Sequence, residues 1–481
     1  MTKQHFITDV IIGLEVHCEL DTQTKLFCSC AREGSEEPNT RTCETCLGHP
    51  GNKPVLNEKA VEFAVKLCLA TNSEISPILV FSRKSYFYPD MSKNYQITQY
   101  ELPLGRNGKI KLSNGKEIRL IRIHMEEDPA SLVHPAGMRE SGYVLVDYNR
   151  SGNPLVEIVT EPDLASADEA RDFMKKIVSI LTYLEIFDVN KCIIKADANI
   201  SVKESGYTRV EIKNITGFKE IERALEYEIN RQKKEISEGD KIHQETRAWD
   251  SEKGITHSLR KKEAEEDYGY IIDPDLVVTD ISDEYIDKIK ESLPELAEQK
   301  ISKFLEKHGI KKEDAEILAA EKELAELYER VAEEINPELA AKWLRRELMR
   351  VVNYANKTLK EIKVDEKNLI ALLELIEKKK ITDKVGQKLM EMLIEKPFDV
   401  KEYVKKEKLE ALADISELEE ICKQTIQESP KAVEDYKAGK LEALNFIVGR
   451  VMQKTRRKAD PNVVRKLILE KIVSQSKSFY T

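Results

Sequence analysis

The sequence predicts an α+β protein, with a sheet-based N-terminal part followed by two all-α parts. Three observations predict it. Apolar and polar residues alternate with period two in several stretches from Val10 onward, with turn signals between them. From about residue 283 the alternation gives way to Leu-, Glu-, Lys- and Ala-rich segments with apolar residues at helical spacing. Pro294 and Pro397 fall where the character changes and divide the chain into 1–293, 294–405 and 406–481. A length of 481 residues agrees, being too long for one ordinary core.

The first strand covers residues 10–20. Leu14, Val16, Cys18 and Leu20 point one way; Glu15, His17 and Glu19 point the other. Carboxylate, imidazole and carboxylate on one strand face form either a solvated face or a metal or phosphate site. A polar loop follows, with Cys28-x-Cys30 and, twelve residues on, Cys43-x-x-Cys46. Two close thiol pairs of this kind complete a tetrahedral shell around one structural zinc. Residues 55–70 read as a core-facing helix capped by Asn57. Residues 81–101 carry an aromatic run, a Pro89-Asp90 turn and Lys93, a point charge suited to phosphate oxygens.

Residues 104–123 read as a hairpin with turns at Asn107-Gly108 and Asn114-Gly115. Its returning strand ends in HMEEDPA, where His124, Glu126, Glu127 and Asp128 crowd together. Such acids in a fold interior need a cation to offset their repulsion, and Glu15 and His17 make a divalent ion the natural choice. Residues 143–163 read as a second hairpin, with Arg150 in its loop and Glu157 in its second arm. A helix over 165–187 starts at Ser166 with Glu169 three residues on. Two strands then place Asp197 with Asn199, and Glu211 with Lys213, on single faces. Residues 219–250 read as a long charged helix and its exit.

Composition narrows the function. The chain is 41% hydrophobic and 34% charged, with net charge -10, which argues against a generally sticky polyanion binder. No apolar run is long enough for a membrane span, and MTKQHFITDV lacks a signal core, so a cytoplasmic protein with no membrane partner is expected. The other cysteines, Cys18, Cys68, Cys192 and Cys422, sit among apolar neighbours as inert buried thiols. Phosphate-cradling G-x-x-x-x-G-K-[ST] and G-x-G-x-x-G motifs are absent, as is a nucleophilic Cys paired with His. The tail is locally basic: Lys440 to Lys471 holds nine Lys/Arg against three Asp/Glu.

GLEVH, the FCSC…CETCLGHPG loop, YFYPDMSKNYQITQ and HMEEDPA together resemble the B-subunit family of the tRNA-dependent aspartyl/glutamyl amidotransferases (GatB), over nearly the whole chain. The resemblance implies a kinase-like cradle over 1–293, a helical domain over 294–405 and a YqeY-like, tRNA-binding tail over 406–481. It implies catalytic roles for Glu15, His17, Glu127, Asp197 and Glu211. Glu15, His17 and Glu127 would hold Mg2+, or Mn2+, with Glu126 the alternative to Glu127. Lys93, Arg150, Glu157, Glu126 and Lys213 would line the ATP and substrate site. Cys28, Cys30, Cys43 and Cys46 would bind zinc, and Arg450, Lys454, Arg456, Arg457 and Lys458 would meet tRNA.

The activity so implied is ATP-dependent phosphorylation of the side-chain carboxylate of misacylated Glu-tRNA(Gln), Asp-tRNA(Asn) or both. Amidation would follow with ammonia from the glutaminase, the A subunit, in a heterotrimer completed by a small C subunit. Two departures stand out: Lys195-Ala196 where the family usually has Arg-Cys, and Gly269 where it commonly has Arg. The competing readings are a non-catalytic zinc-containing tRNA-binding protein and a structural assembly subunit.

Overall fold

The alternation at the start of the chain becomes strand β1 (Val10–Glu19), which lies at the middle of a nine-stranded sheet. The structure, a computed structural model, describes residues 8–135, 141–261, 268–410, 415–455, 459 and 461–477. The remaining strands of this sheet are β2 (Glu74–Ile75), β3 (Gly105–Lys111), β4 (Glu117–Glu127), β5 (Pro154–Thr160), β6 (Ile194–Val202), β7 (Val210–Ile215), β8 (Glu245–Asp250) and β9 (Ile255–Lys261). Their order is β9-β8-β7-β6-β1-β5-β4-β3-β2, and neighbours are antiparallel except β7 and β8, which run parallel. The chain divides into two compact units, Met1–Leu296 and Ala297–Thr481.

In the first unit the apolar face of the sheet is covered by helices α1 (Glu58–Ala70), α2 (Ala167–Tyr183) and α3 (Phe218–Glu238). Leu14, Val16 and Cys18 of β1 share one core with Phe173, Ile177 and Leu181 of α2 and Ala224 and Leu225 of α3. The caps read from sequence are made: Asn57 Oδ1 accepts from the Lys59 N–H at 2.9 Å, and Ser166 Oγ from the Glu169 N–H at 3.2 Å. The Glu169 carboxylate in turn accepts from the Ala165 N–H at 2.8 Å, so both ends of the first turn are satisfied. On α3, fully buried Glu228 accepts from Arg231 Nε and from Thr256 Oγ1, each at 2.9 Å, and Arg247 Nε lies 3.6 Å away.

The structure corrects two sequence expectations. Asn107-Gly108 does not turn the chain; both residues lie within β3, and the reversal into β4 falls at Asn114-Gly115. A Cβ on Gly108 would come within 2.2 Å of Ser73 Oγ, so this glycine answers a close approach rather than a turn. Residues 143–163 are not one hairpin. Leu145–Asp147 pairs with Ser131–Val133, whereas β5 pairs with β1 and β4. All seven residues of β5 are buried, because a strand between two neighbours and under cover on both faces loses the outward alternation of a hairpin arm. The long charged helix expected within 219–250 forms as α3, and its exit leads into strand β8.

A smaller sheet of Ser82–Ser85, Tyr95–Thr98 and Gly269–Ile272 closes the exposed edge of β4 beyond β3. Gln99 Oε1 accepts from the Met125 N–H at 3.0 Å, and Gln96 Nε2 donates to the Glu127 carbonyl at 2.7 Å. These side chains stand in for a missing strand and keep β4 regular to its end.

The second unit is helical throughout its described residues. The stripes expected from sequence are buried, including Leu324, Leu327 and Val331, then Trp343, Leu344 and Leu348, then Leu369, Leu372 and Leu373. His308 stacks on Phe304 and meets the Tyr328 hydroxyl at 3.1 Å. Leu418, Cys422, Ile426, Ile447, Val451 and Ile468 form a core cluster of their own near the end of the chain. Among the described residues, no helix is long and apolar enough to cross a membrane.

Candidate active site and cysteine knuckle

Register across the sheet builds the site. Glu15 on β1 faces Asp197 on β6, and Asn199, two residues along β6, faces Glu211 on β7. One row over, His17 faces Glu157 on β5, and Glu157 faces His124 on β4. The polar face of β1 is therefore lined by polar partners on both sides.

Two groups of ligating atoms result. In the first, oxygens of Glu15, Asp197 and Glu211 lie within 4.8 Å of one another. Lys213 Nζ reaches Asp197 at 2.7 Å and Glu211 at 3.1 Å, Asn199 donates to Glu15 at 3.0 Å, and Thr246 to Glu211 at 2.8 Å. Burial, then Glu157, Asp197 and Glu211, push the Glu15 carboxyl above its ordinary value despite the lowering effect of Lys213. In the second, His17, Glu126 and Glu157 converge within the same limit. His17 Nε2 is 3.2 Å from Glu157 and 3.9 Å from Glu126, and His124 Nε2 is 3.6 Å from Glu157 and 3.8 Å from Glu126. Burial disfavours the His17 imidazolium, yet the hydrogen bond and charge of Glu157 and the charge of Glu126 raise it to about 10.

Both groups suit a divalent cation. An octahedral ion with bonds of about 2.0–2.1 Å holds its oxygens about 2.9–4.2 Å apart. The first set is all oxygen, as Mg2+ prefers, and the imidazole in the second, once a metal displaces its proton, also suits Mn2+.

The expected single constellation is thus divided, and Glu127 stands outside both groups. Because β4 stays regular, Glu126 keeps to the face of His124 while Glu127 turns to the other. There its carboxylate takes Lys93 Nζ, 2.6 Å from Oε2, and the Ile97 N–H at 2.9 Å. Both members of the Lys93–Glu127 pair are buried. Arg150 donates to the Pro129 and Ala130 carbonyls at 3.0 and 3.1 Å and lies 3.3 Å from Asp128, so it braces the loop after β4. The sequence reading gave no role to Thr246, Gln96 or Gln99, whose positions follow from tertiary pairing and leave no local signal.

The four loop cysteines also converge. Their Sγ atoms all lie within 4.8 Å of one another, and none is in a disulfide. Tetrahedral Zn–S bonds of about 2.3 Å require S···S edges near 3.8 Å; Cys43 and Cys46 are 3.9 Å apart. A hydrogen bond from Cys28 draws Cys46 down to about 5 despite burial, while burial and Cys43 push Cys30 up to about 12. The remaining thiols, Cys18, Cys68, Cys192 and Cys422, are buried and raised chiefly by desolvation.

In the tail, Lys454 Nζ is 2.7 Å and Arg450 3.8 Å from Glu428, so the two basic side chains share one carboxylate. Arg456, Arg457 and Lys458 lie outside the described residues.

Residues 10–287 match the family model described as "GatB/GatE catalytic domain", and residues 326–472 match the "GatB domain" model. The chain belongs to the GatB family of amidotransferase B subunits. It is 42% identical over 474 residues to a protein of Carboxydothermus hydrogenoformans, covering 96% of this chain and 98% of that one. With a protein of Thermodesulfovibrio yellowstonii the identity is 43% over 472 residues, with the same coverage. With one of Thermotoga maritima it is 41% over 470, covering 95% and 98%. All three relatives are named as the B subunit of an aspartyl/glutamyl-tRNA(Asn/Gln) amidotransferase. Both groups of ligating atoms belong to the segment matched by this family's catalytic-domain model.

Proposed function

We propose that the chain is the activating subunit of a tRNA-dependent amidotransferase. With ATP it phosphorylates the side-chain carboxylate of Glu on tRNA(Gln), Asp on tRNA(Asn), or both. It then completes the amide with ammonia made by the glutaminase A subunit, a small C subunit joining the two. The names of the relatives support the substrate class. The observation that carries the reading is the pair of ligand groups side by side on the polar face of β1.

The acceptor carboxylate has an ordinary pKa of about 4 and is already ionised. It needs no general base. It needs positive charge against its repulsion from the γ-phosphate, and in-line placement. Divalent ions, when bound, supply that charge. Glu15, Asp197 and Glu211 would hold one of them, and His17, Glu126 and Glu157 another. Lys213 adds a fixed ammonium, and Lys93 would turn to phosphate oxygens on leaving Glu127. Phosphate then leaves as ammonia attacks the acyl carbon. The purely solvated alternative for these acids is disfavoured by the burial of Glu126, Glu157, Asp197 and Glu211.

The test is the assembled enzyme with misacylated tRNA. Phosphate release and amidated product should both require ATP, a divalent cation and the misacylated tRNA. Amidation that proceeds at full rate without a divalent cation would overturn the reading. Running Glu-tRNA(Gln) and Asp-tRNA(Asn) in parallel decides the substrate.

A further inference from the structure

The cysteine knuckle and the Lys93–Glu127 pair are neighbours, and the contacts between them are specific. Gly152 stands between them: a Cβ there would lie 3.5 Å from Cys46 Cβ, 3.6 Å from Lys25 Cδ and 4.0 Å from Glu127 Oε2. Lys25 is fully buried, and its ammonium donates to the Arg41 carbonyl at 2.8 Å, the Tyr148 carbonyl at 3.3 Å and Cys46 Sγ at 3.8 Å. Cys46 also offers its carbonyl to Ser92 Oγ at 2.7 Å and to Ser151 Oγ at 3.3 Å. Ser92 precedes Lys93 directly. Gly48, two residues past Cys46, completes the contact: its φ is +70°, and a Cβ there would lie 2.4 Å from Lys93 Cγ and 3.1 Å from its Cα.

We propose that the cysteine knuckle is the seat of Lys93: Cys46, Gly48 and Lys25 together set where the Lys93 ammonium stands against Glu127, and the metal held by the four thiolates keeps that seat in shape. The burial of Lys25 follows from the same arrangement. An ammonium out of water needs acceptors on every side, and here two carbonyls and a thiolate sulfur provide them. It offsets charge in a four-thiolate shell and ties the knuckle to the 148–152 loop that borders Glu127. Lys25 is thus a positioning residue for the metal shell, and Gly48 one for Lys93.

Three measurements on the full chain test this. In the first, zinc is removed with a chelator and amide hydrogen exchange is followed by mass spectrometry. Exchange in 89–97 and 148–153 should speed up at least about tenfold, while α2 keeps its protection. Loosening of the cysteine loop with no change in 89–97 would overturn the proposal. In the second, Gly48→Ala leaves every thiolate in place. It should keep about one zinc per chain, speed exchange at 89–97 and lower carboxylate phosphorylation in the assembled enzyme about tenfold or more. Wild-type exchange at 89–97 with normal zinc content would sink the idea, and this arm also decides the matter should zinc removal loosen the whole unit. In the third, Lys25→Met should release zinc to a competing chelator about 10–100-fold faster, the range for lost support around a metal shell. Unchanged release would remove Lys25 from the proposal. The activity arm rests on the proposed function; the exchange and zinc arms do not, so the two failures are distinguishable.

Discussion

At the scale of single residues, charge and position make separable predictions. Glu15→Gln keeps size and hydrogen-bonding shape but removes one charge from the first ligand group. Phosphorylation of the aminoacyl carboxylate should fall by about 10²-fold or more, the loss expected when one element of transition-state stabilisation goes. Glutamine hydrolysis by the glutaminase should survive without its tRNA-linked stimulation. Wild-type amidation by both Glu15→Gln and Asp197→Asn at saturating Mg2+ and ATP would show that this group is not the site. The membership of β1 was legible in the sequence because period-two alternation fixes which side chains share a face. Which of Glu126 and Glu127 joins His17 was not. That depends on how far β4 stays regular, and its regularity is imposed by Gln96 and Gln99, on and just after the strand Tyr95–Thr98. The thiol pairs were legible from spacing alone, and metal analysis should find about one zinc per chain.

At the scale of elements, the buried charge network on α3 and the packed histidine of the second unit are the sensitive points. Glu228→Ala would leave Arg231 and Arg247 without their shared carboxylate in a buried setting. Breaking such a network typically costs about 3–5 kcal/mol, which chemical denaturation of the first unit's transition would read. Burial and the neighbouring Lys307 depress the His308 imidazolium below its ordinary value. An unfolded histidine takes up its proton near pH 6.5 while the folded one resists. Stability contributed by neutral His308 is therefore full above about 6.5 and lost as pH falls towards the lower folded value. Thermal unfolding of His308→Gln should fall less than wild type between pH 7.5 and 5.5. Helices and their caps were legible here, since Asn57 and Ser166 act on the turn beside them. The false hairpins were not separable from true ones: Asn107-Gly108 has turn chemistry, but the demand it meets comes from Ser73 across the fold.

At the scale of the whole molecule, the acidic chain with a basic end predicts how tRNA is held. Removing residues 408–481 should weaken tRNA binding and flatten its salt dependence, because phosphate contacts release counterions. Unchanged affinity and slope would make the basic stretch a solvated face. Glu428→Gln should act the other way, freeing Lys454, removing the negative charge beside Arg450 and steepening the slope. The α+β character and the helical second half were legible from periodicity; the strand order was not, because nothing local says that the first strand sits in the middle. That position has a consequence for how the protein is made. β1 pairs with strands at 154–160 and 194–202, so on the ribosome it has no partner until about 160 residues have emerged. Every acid it carries waits unpaired through that interval. The two ligand groups therefore close in order: His17 can meet Glu126 and Glu157 once β5 is out, whereas Glu15 waits for Asp197 and Glu211 on β6 and β7, and both are late, long-range events.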